Sequence, residues 1–166
     1  MSIQGALHEM RDHLEQYVAG YAGTYRDYDG MHIRQHAPSV FVNGLRPPAA
    51  DETEEEYLEN IYPFILLRAS AGQSAQEGVD AAENEISVIA VIGVRYPGED
   101  MQGAAEVADL IDRIITCAAK QPYTQHTRIS PDVRWQLDDD DTHPYYFGAA
   151  TLTVYDRTAT RDEYDI

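Results

Sequence analysis

Apolar residues recur along this chain with two different periods, and these periods predict both helices and strands. Near the N-terminus the apolar positions are Leu7, Met10, Leu14, Tyr17, Val18 and Tyr21. This spacing is typical of an amphipathic helix over about 3–21, and Gly20 and Gly23 favour its end there. A wider apolar face predicts a second and better helix from Glu99 to about Ala119, which Pro122 ends.

Runs rich in β-branched and aromatic residues predict the strands. The predicted strands are 31–36, 40–42, 62–68, 85–95, 133–137 and 148–155. The run 85–95 is almost continuously apolar, which favours a central strand covered on both faces. The order of elements predicts an α+β fold, a single layer of mostly antiparallel sheet with a long helix packed on one face and an N-terminal helix.

The chain has 166 residues, which suits a single domain over 1–166. Within it we expect an N-terminal helix in 1–23, a mobile loop at 70–84 and a flexible C-terminal tail at 157–166. The segment Asp51–Glu59 is strongly acidic and contains no base. It is therefore predicted to be a solvated loop or a short exposed helical turn.

The acidic charge limits the partners of the chain. There are 29 acidic and 12 basic residues, which give a formal net charge of −17. This charge opposes sequence-specific binding of nucleic acid, which needs clustered Lys and Arg, and it opposes docking on an anionic membrane. The sequence shows neither a secretion signal nor a membrane span, so we expect synthesis in the cytosol.

The two last predicted strands are joined by the most acidic loop of the chain. Asp138, Asp139, Asp140 and Asp141 follow one strand, and His143 and Pro144 precede the next. The loop fits a calcium-binding EF-hand poorly, since His143 and Ala149 stand where Gly and Glu are required. Chemistry, loose cation binding and a charged surface stay open, and an exposed, charge-repelling loop is favoured.

Aromatic residues crowd the start of the final strand. Tyr145, Tyr146 and Phe147 come directly after Pro144. One or two of these rings are expected to pack under a helix, and the others to face a partner subunit. Tyr25, Tyr28 and Tyr62 are candidates for the same role, and Trp135 and Leu137 are predicted to lie in the core.

Motifs for catalysis are missing from the sequence. No nucleophile elbow, phosphate-binding loop or dinucleotide motif occurs, and Cys117 fits a small core residue. His32 and His36, and likewise His8 and His13, lack the spacing of a metal site. We therefore predict no enzyme, no catalytic residue, no metal and no cofactor. Two alternatives stay open: a small metal-assisted hydrolase using 138–141 and His143, and a ligand-binding module with an apolar pocket beside 145–147.

From Tyr62 to Asp156 the chain resembles one family. The features that carry the resemblance are the run 62–68, the Glu85–Val88 start of the next strand, the segments 92–96, 100–103 and 109–114, Trp135 with its acidic turn, and the aromatic exit 144–148. In this order and spacing they resemble the tail terminator, or tail completion, proteins of tailed bacteriophages and prophages.

The resemblance implies a structural protein of the virion without catalytic residues. Such subunits form a ring, usually a hexamer, which caps the tail tube and presents a surface to the head connector at the tail–head interface. The implied partners are further copies of the chain, the tail tube protein and a head connector or neck protein, with assembly in the host cytoplasm. A position elsewhere in the neck is the alternative within this class.

A negative lumen would let DNA pass through such a ring without sticking. The candidates for interface or lumen are Asp138, Asp139, Asp140, Asp141, Tyr145, Tyr146, Glu54, Glu55 and Glu56.

Overall fold

The computed structural model describes residues 2–21, 24–26, 32–34, 36–74, 84–98 and 102–156. The helices in these residues are α1 (Ile3–Val18), α2 (Glu54–Ile61) and α3 (Gly103–Lys120). The strands are β1 (Thr24–Arg26), β2 (His32–Arg34), β3 (Ser39–Val42), β4 (Phe64–Ser74), β5 (Asn84–Arg95), β6 (Thr127–Ile129), β7 (Arg134–Leu137) and β8 (Tyr145–Asp156). The predicted α+β fold is confirmed.

A curled sheet of six strands organises the molecule. Its order is β3-β4-β5-β8-β6, and β7 pairs with the other half of the long strand β8. The pair of β3 and β4 is parallel, and every other pair in this sheet is antiparallel. A separate antiparallel ribbon joins β1 and β2. The sequence predicted neither β1 nor β6, since both are too short to show a period.

One face of the sheet, which we call the inner face, carries the main core. Helices α1 and α3 both pack on this face and contact each other. Alternate residues of β5 and β8 point into it, and the fully buried ones include Ala90, Ile92, Ala150 and Val154. The apolar stripe of α3 meets them with Leu110, which has no exposed surface. The alternation therefore fixes which residues meet the helices.

The opposite, outer face is covered only in part. Helix α2 lies over the β4 side, where Ile61, Phe64 and Leu66 form a second buried cluster. Gly93 on β5 lies opposite Phe64, and a Cβ at this position would lie 2.3 Å from the Phe64 ring. A glycine is therefore required for the ring to cross β5. The rest of the outer face is half-buried or exposed.

The acidic segment 51–59, predicted to be a solvated loop or a short exposed helical turn, leads into the eight-residue helix α2, so the second alternative is the nearer one. Thr53 caps this helix, accepting from the Glu56 backbone N–H at 3.2 Å while Glu56 accepts from the Thr53 N–H at 3.2 Å. This reciprocal capping box satisfies two helix-end donors. The three glutamates of the first turn also suit the positive end of the helix dipole.

Two further predictions need correction. Strand β4 continues to Ser74 and β5 begins at Asn84, so the predicted loop 70–84 is partly strand, and its remainder lies outside the described residues. Strand β5 is also not covered on both faces along its length. Its burial alternates from Ile86 to Ile92, because α2 reaches only one end of the outer face. The tail 157–166 and Tyr28 lie outside the described residues.

Candidate subunit interface

The loop Asp138–Asp141 joins β7 to β8 and is exposed at all four residues. Two hydrogen bonds define its start. The Asp140 N–H donates to Asp138 Oδ1 at 3.1 Å, and the Asp138 N–H donates to the Phe147 carbonyl at 3.0 Å. The second bond continues the sheet ladder, so the loop projects from the end of its own strand pair. Among the described residues no cation forms an ion pair with these four carboxylates.

The aromatic exit divides between the two faces of the sheet. Tyr146 points to the inner face and packs over Gly103 at the start of α3, where a Cβ would lie 2.1 Å from its ring. Its hydroxyl lies 2.9 Å from His143 Nδ1. The ring of Tyr145 lies 5.3 Å from that of Tyr62, and the ring of Phe147 lies 6.5 Å from it. Tyr146 thus packs under a helix, as predicted for one of these rings.

Trp135 is not in the core, contrary to the prediction, because its side chain is 58% exposed. It lies opposite Ala150 and thus on the inner side of the sheet. However, β7 is an edge strand, and α3 does not extend far enough to cover it. Val133 and Leu137, which lie on the same side of β7 as Trp135, are half-buried against the core. An exposed Trp on a sheet edge is a feature of an interaction surface.

The acidic first turn of α2 lies at the same end of the sheet as the acidic loop. Glu55 accepts from Arg95 at 2.8 Å, and Arg95 on β5 lies opposite Tyr145 at the start of β8. Behind the helix, Arg46 forms a two-pronged ion pair with Glu52 at 2.7 and 2.9 Å. This arginine holds the pKa of Glu52 down at about 2, with help from Asn60 and the Ala49 N–H. Acidic segments that are far apart in sequence thus meet at one end, which we call the acidic end.

Two histidines lie within hydrogen-bonding distance of backbone carbonyls that are distant in sequence. His36 lies 3.0 Å from the Glu59 carbonyl, and His13 lies 2.7 Å from the Gln121 carbonyl. In the described part of the chain, no three His, Cys, Asp or Glu side chains are grouped so that they could hold a metal ion. Cys117 is buried, and burial raises the pKa of its thiol to about 11.

Sequence reasoning missed a polar cluster between α1 and the segment before β6. Glu9 accepts hydrogen bonds from the hydroxyl of Thr124 and, at 2.6 Å, from the His126 N–H, and its other oxygen lies 3.0 Å from His126 Nδ1. Burial raises the pKa of Glu9, but these hydrogen bonds outweigh it and lower the pKa. The partners are more than 110 residues apart, so no local pattern could reveal them. The cluster fastens the turn after α3 to α1.

Glu106 on α3 was also missed as an unusual residue. It is 8% exposed, and its Oε2 has no hydrogen-bond partner within the described ranges. Burial, with the charge of Asp109, raises the pKa of this carboxyl to about 7. Burial, with the charges of Glu106 and Asp109, also raises the phenol pKa of Tyr21, whose ring lies 5.0 Å from the guanidinium of Arg113. In sequence Glu106 looks like an ordinary acid of a first helical turn.

Two depressions occur on the surface. A cleft of about 500 Å³ lies between Ile3, Ala69–Gln73, Asn84–Ile86 and Asp156, at the far end from the acidic loop. A smaller open depression of about 260 Å³ lies beside Phe147, with Val91, Leu137 and Ala149 in its lining. A ligand-binding module was predicted to have an enclosed apolar pocket beside 145–147. The open depression lies there, but its volume is below that of the pockets that enclose most small ligands.

Neither a protein-family model nor a curated protein matches the chain. Among the described residues, no helix combines the length and the apolar composition needed to cross a bilayer.

Proposed function

We propose that this chain is a structural subunit of the tail terminator type. It forms a homo-oligomeric ring, of hexameric size by the resemblance, on the top of a phage tail tube. There it ends tube growth and contacts the head connector, as a non-enzymatic part of the virion. The proposal is supported by the α+β fold that the resemblance implies and by the distribution of charge on the surface.

The observation that carries the proposal is the acidic end. The first turn of α2 and the loop Asp138–Asp141 are about 80 residues apart in sequence, yet both lie at the end of the sheet where β4 and β8 begin. Such crowding of like charge opposes folding of the single subunit. It is useful where a surface must repel DNA, as in a ring lumen, or bind a basic partner, as at a contact between subunits.

The proposal is tested by sedimentation velocity and native mass spectrometry at micromolar concentration. The purified chain is measured alone and with the tail tube protein encoded in the same genome. We expect a closed oligomer in at least one condition, together with binding to the tube. A chain that stays monomeric in both conditions contradicts the proposal. Binding to the head connector without binding to the tube places the subunit elsewhere in the neck.

The metal-assisted hydrolase is an alternative from another class that the four carboxylates and His143 of one loop suggest in sequence, although these side chains are not grouped in the structure so that they could hold a metal ion. Its signature is a stoichiometric divalent ion in the purified protein and loss of hydrolysis in the Asp140→Asn variant. The ring proposal instead expects Asp140→Asn to leave any such activity unaffected, and elemental analysis of the same preparation separates the two.

A further inference from the structure

The uncovered part of the outer face has a regular arrangement of side chains. One row across four strands consists of Arg68, Ile89, Thr151 and Arg134, which are direct partners from β4 to β7. The next row is Leu66, Val91, Ala149 and Gln136, of which Leu66 alone is buried. We call these two rows the arginine face. It combines a half-buried apolar centre with a cation at each side.

Within the described ranges, both arginines of this face lack a partner. Arg68 and Arg134 are exposed, and neither has an ion pair or hydrogen bond with a described residue. Three other arginines do have partners. Arg46 and Arg95 pair with carboxylates at 2.7 and 2.8 Å, and Arg128 lies 4.3 Å from the centre of the Tyr155 ring. In a chain with 29 acids and 12 bases, two uncompensated cations in one row indicate an acidic partner.

The loop Asp138–Asp141 is the matching uncompensated anion. All four residues are exposed and no cation pairs with them in the described ranges, whereas Glu52 and Glu55 of the α2 region are paired. The dimensions agree as well. Three strand spacings separate the two arginine Cα atoms by about 14 Å, and four extended residues span up to about 13 Å. One acidic loop can therefore reach both cations.

The loop of the same subunit cannot occupy its own arginine face. The ladder bond from the Asp138 N–H to the Phe147 carbonyl keeps the loop in continuation of β7. Arg134 lies four residues earlier on the same strand, which is about 14 Å along its axis. The loop would have to fold back over its own sheet to reach both arginines. A second copy can present the loop from outside without this constraint.

We infer that the arginine face binds the Asp138–Asp141 loop of a second copy of this chain. The inference rests on the proposed function, because a contact between two different patches is the heterologous type that builds rings. Four strands and two rows that lie two residues apart give the face roughly 19 by 7 Å, far less than the ~800 Å² per partner of a stable complex. A single contact of this size is therefore expected to have low affinity. In a closed ring every subunit uses both patches, so the contacts together stabilise the assembly.

The test measures assembly of the full chain with the tail tube protein present. The double variant Arg68→Glu with Arg134→Glu reverses both cations of the face. Its matched control, Arg11→Glu with Lys120→Glu, makes the same change in net charge on the two helices of the inner face. We expect the face variant to weaken self-association roughly tenfold or more and the control to change it less than about threefold.

A charge exchange then identifies the occupant. The loop variant Asp139→Arg with Asp140→Arg should weaken assembly alone, and should restore it when combined with Arg68→Glu and Arg134→Glu. Far-UV circular dichroism verifies that all variants fold.

The outcomes separate the two proposals. A wild type that stays monomeric with and without tube protein overturns both the ring and the arginine face. A wild type that assembles, with a face variant that assembles equally well, overturns the arginine face and leaves the ring standing. Loss of assembly in the face variant without rescue by the loop variant overturns the loop as the occupant.

Discussion

The two faces of the sheet are built from the same strands and have opposite properties. On the inner face Ile92, Ala150 and Leu110 of α3 are fully buried or nearly so. On the outer face Ile89 and Thr151, only a few residues away on the same strands, stay half-exposed. The inner face therefore supplies stability, whereas the outer face and its acidic end are free for contacts with other molecules. The difference follows from which helices reach which part of the sheet.

The largest expected difference between the faces is in core truncation. Ile92→Ala should lower the free energy of unfolding by about 2–5 kcal/mol, because it leaves a cavity under α3. Ile89→Ala removes the same atoms from the same strand, and should cost about 1 kcal/mol because part of the side chain is already in water. Urea denaturation of both variants measures the difference. Equal losses would show that the outer face is packed as tightly as the inner one.

The covered part of the outer face gives the next prediction. Gly93→Ala should destabilise the fold by about 1–3 kcal/mol, because the new methyl group overlaps the Phe64 ring and displaces it from the α2 cluster. Gly44→Ala is the matched control, since nothing lies within 4 Å of its new methyl group. Thermal unfolding of both variants serves as the measurement. A neutral Gly93→Ala would mean that α2 is loosely attached to the sheet.

The sequence predicted the inner face better than the outer one. Alternation in 148–155 and the helical period of α3 identify residues that meet the helices, since each period depends on local geometry alone. The same alternation could not show that Trp135 is exposed. The alternation of β7 shows on which side of the sheet Trp135 lies. Whether α3 covers the ring there depends on tertiary packing, which the alternation does not show.

The outer face depends on pairings over long sequence distances. Helix α2 is stabilised by Arg95, which is 40 residues from Glu55. Its local signal was present in Thr53 and Glu56, which match a capping box, but the run of acids left a solvated loop and a short helical turn both open. The row from Arg68 to Arg134 requires the registers of three strand pairs. A single sequence contains no signal for register across such separations.

Glu106, the buried acid of α3, is expected to have a moderate and pH-dependent effect on the free energy of unfolding. The pKa of Glu106 is raised to about 7 from an ordinary value of 4.5, so the folded state binds its proton more tightly than the unfolded state. Stability from this group is complete below about pH 4.5, decreases as the pH rises to 7 and stays low above it. Glu106→Gln should therefore flatten this dependence, with a relative gain of roughly 1–2 kcal/mol at pH 8 over pH 5.

The measurement is urea unfolding at pH 5 and pH 8 for wild type, Glu106→Gln and the control Glu15→Gln, an exposed acid of α1. For each variant, its change in the free energy of unfolding between pH 5 and pH 8 is compared with that of wild type. The comparison gives the contribution of the substituted carboxyl apart from those of the other acids. If Glu106→Gln keeps the wild-type pH dependence, the carboxyl is not desolvated between α3 and Tyr21.

The smallest effect on folding is expected at the edge strand. Trp135→Ala should change the free energy of unfolding by less than about 1 kcal/mol, because 58% of the side chain is exposed and little burial is lost. A core tryptophan would instead cost about 3–5 kcal/mol. Leu137→Ala, on the same strand but packed against the core, is the comparison and should cost more. If Trp135→Ala weakens self-association while leaving monomer stability unchanged, the exposed ring acts in assembly, and the edge of the sheet belongs functionally with its outer face.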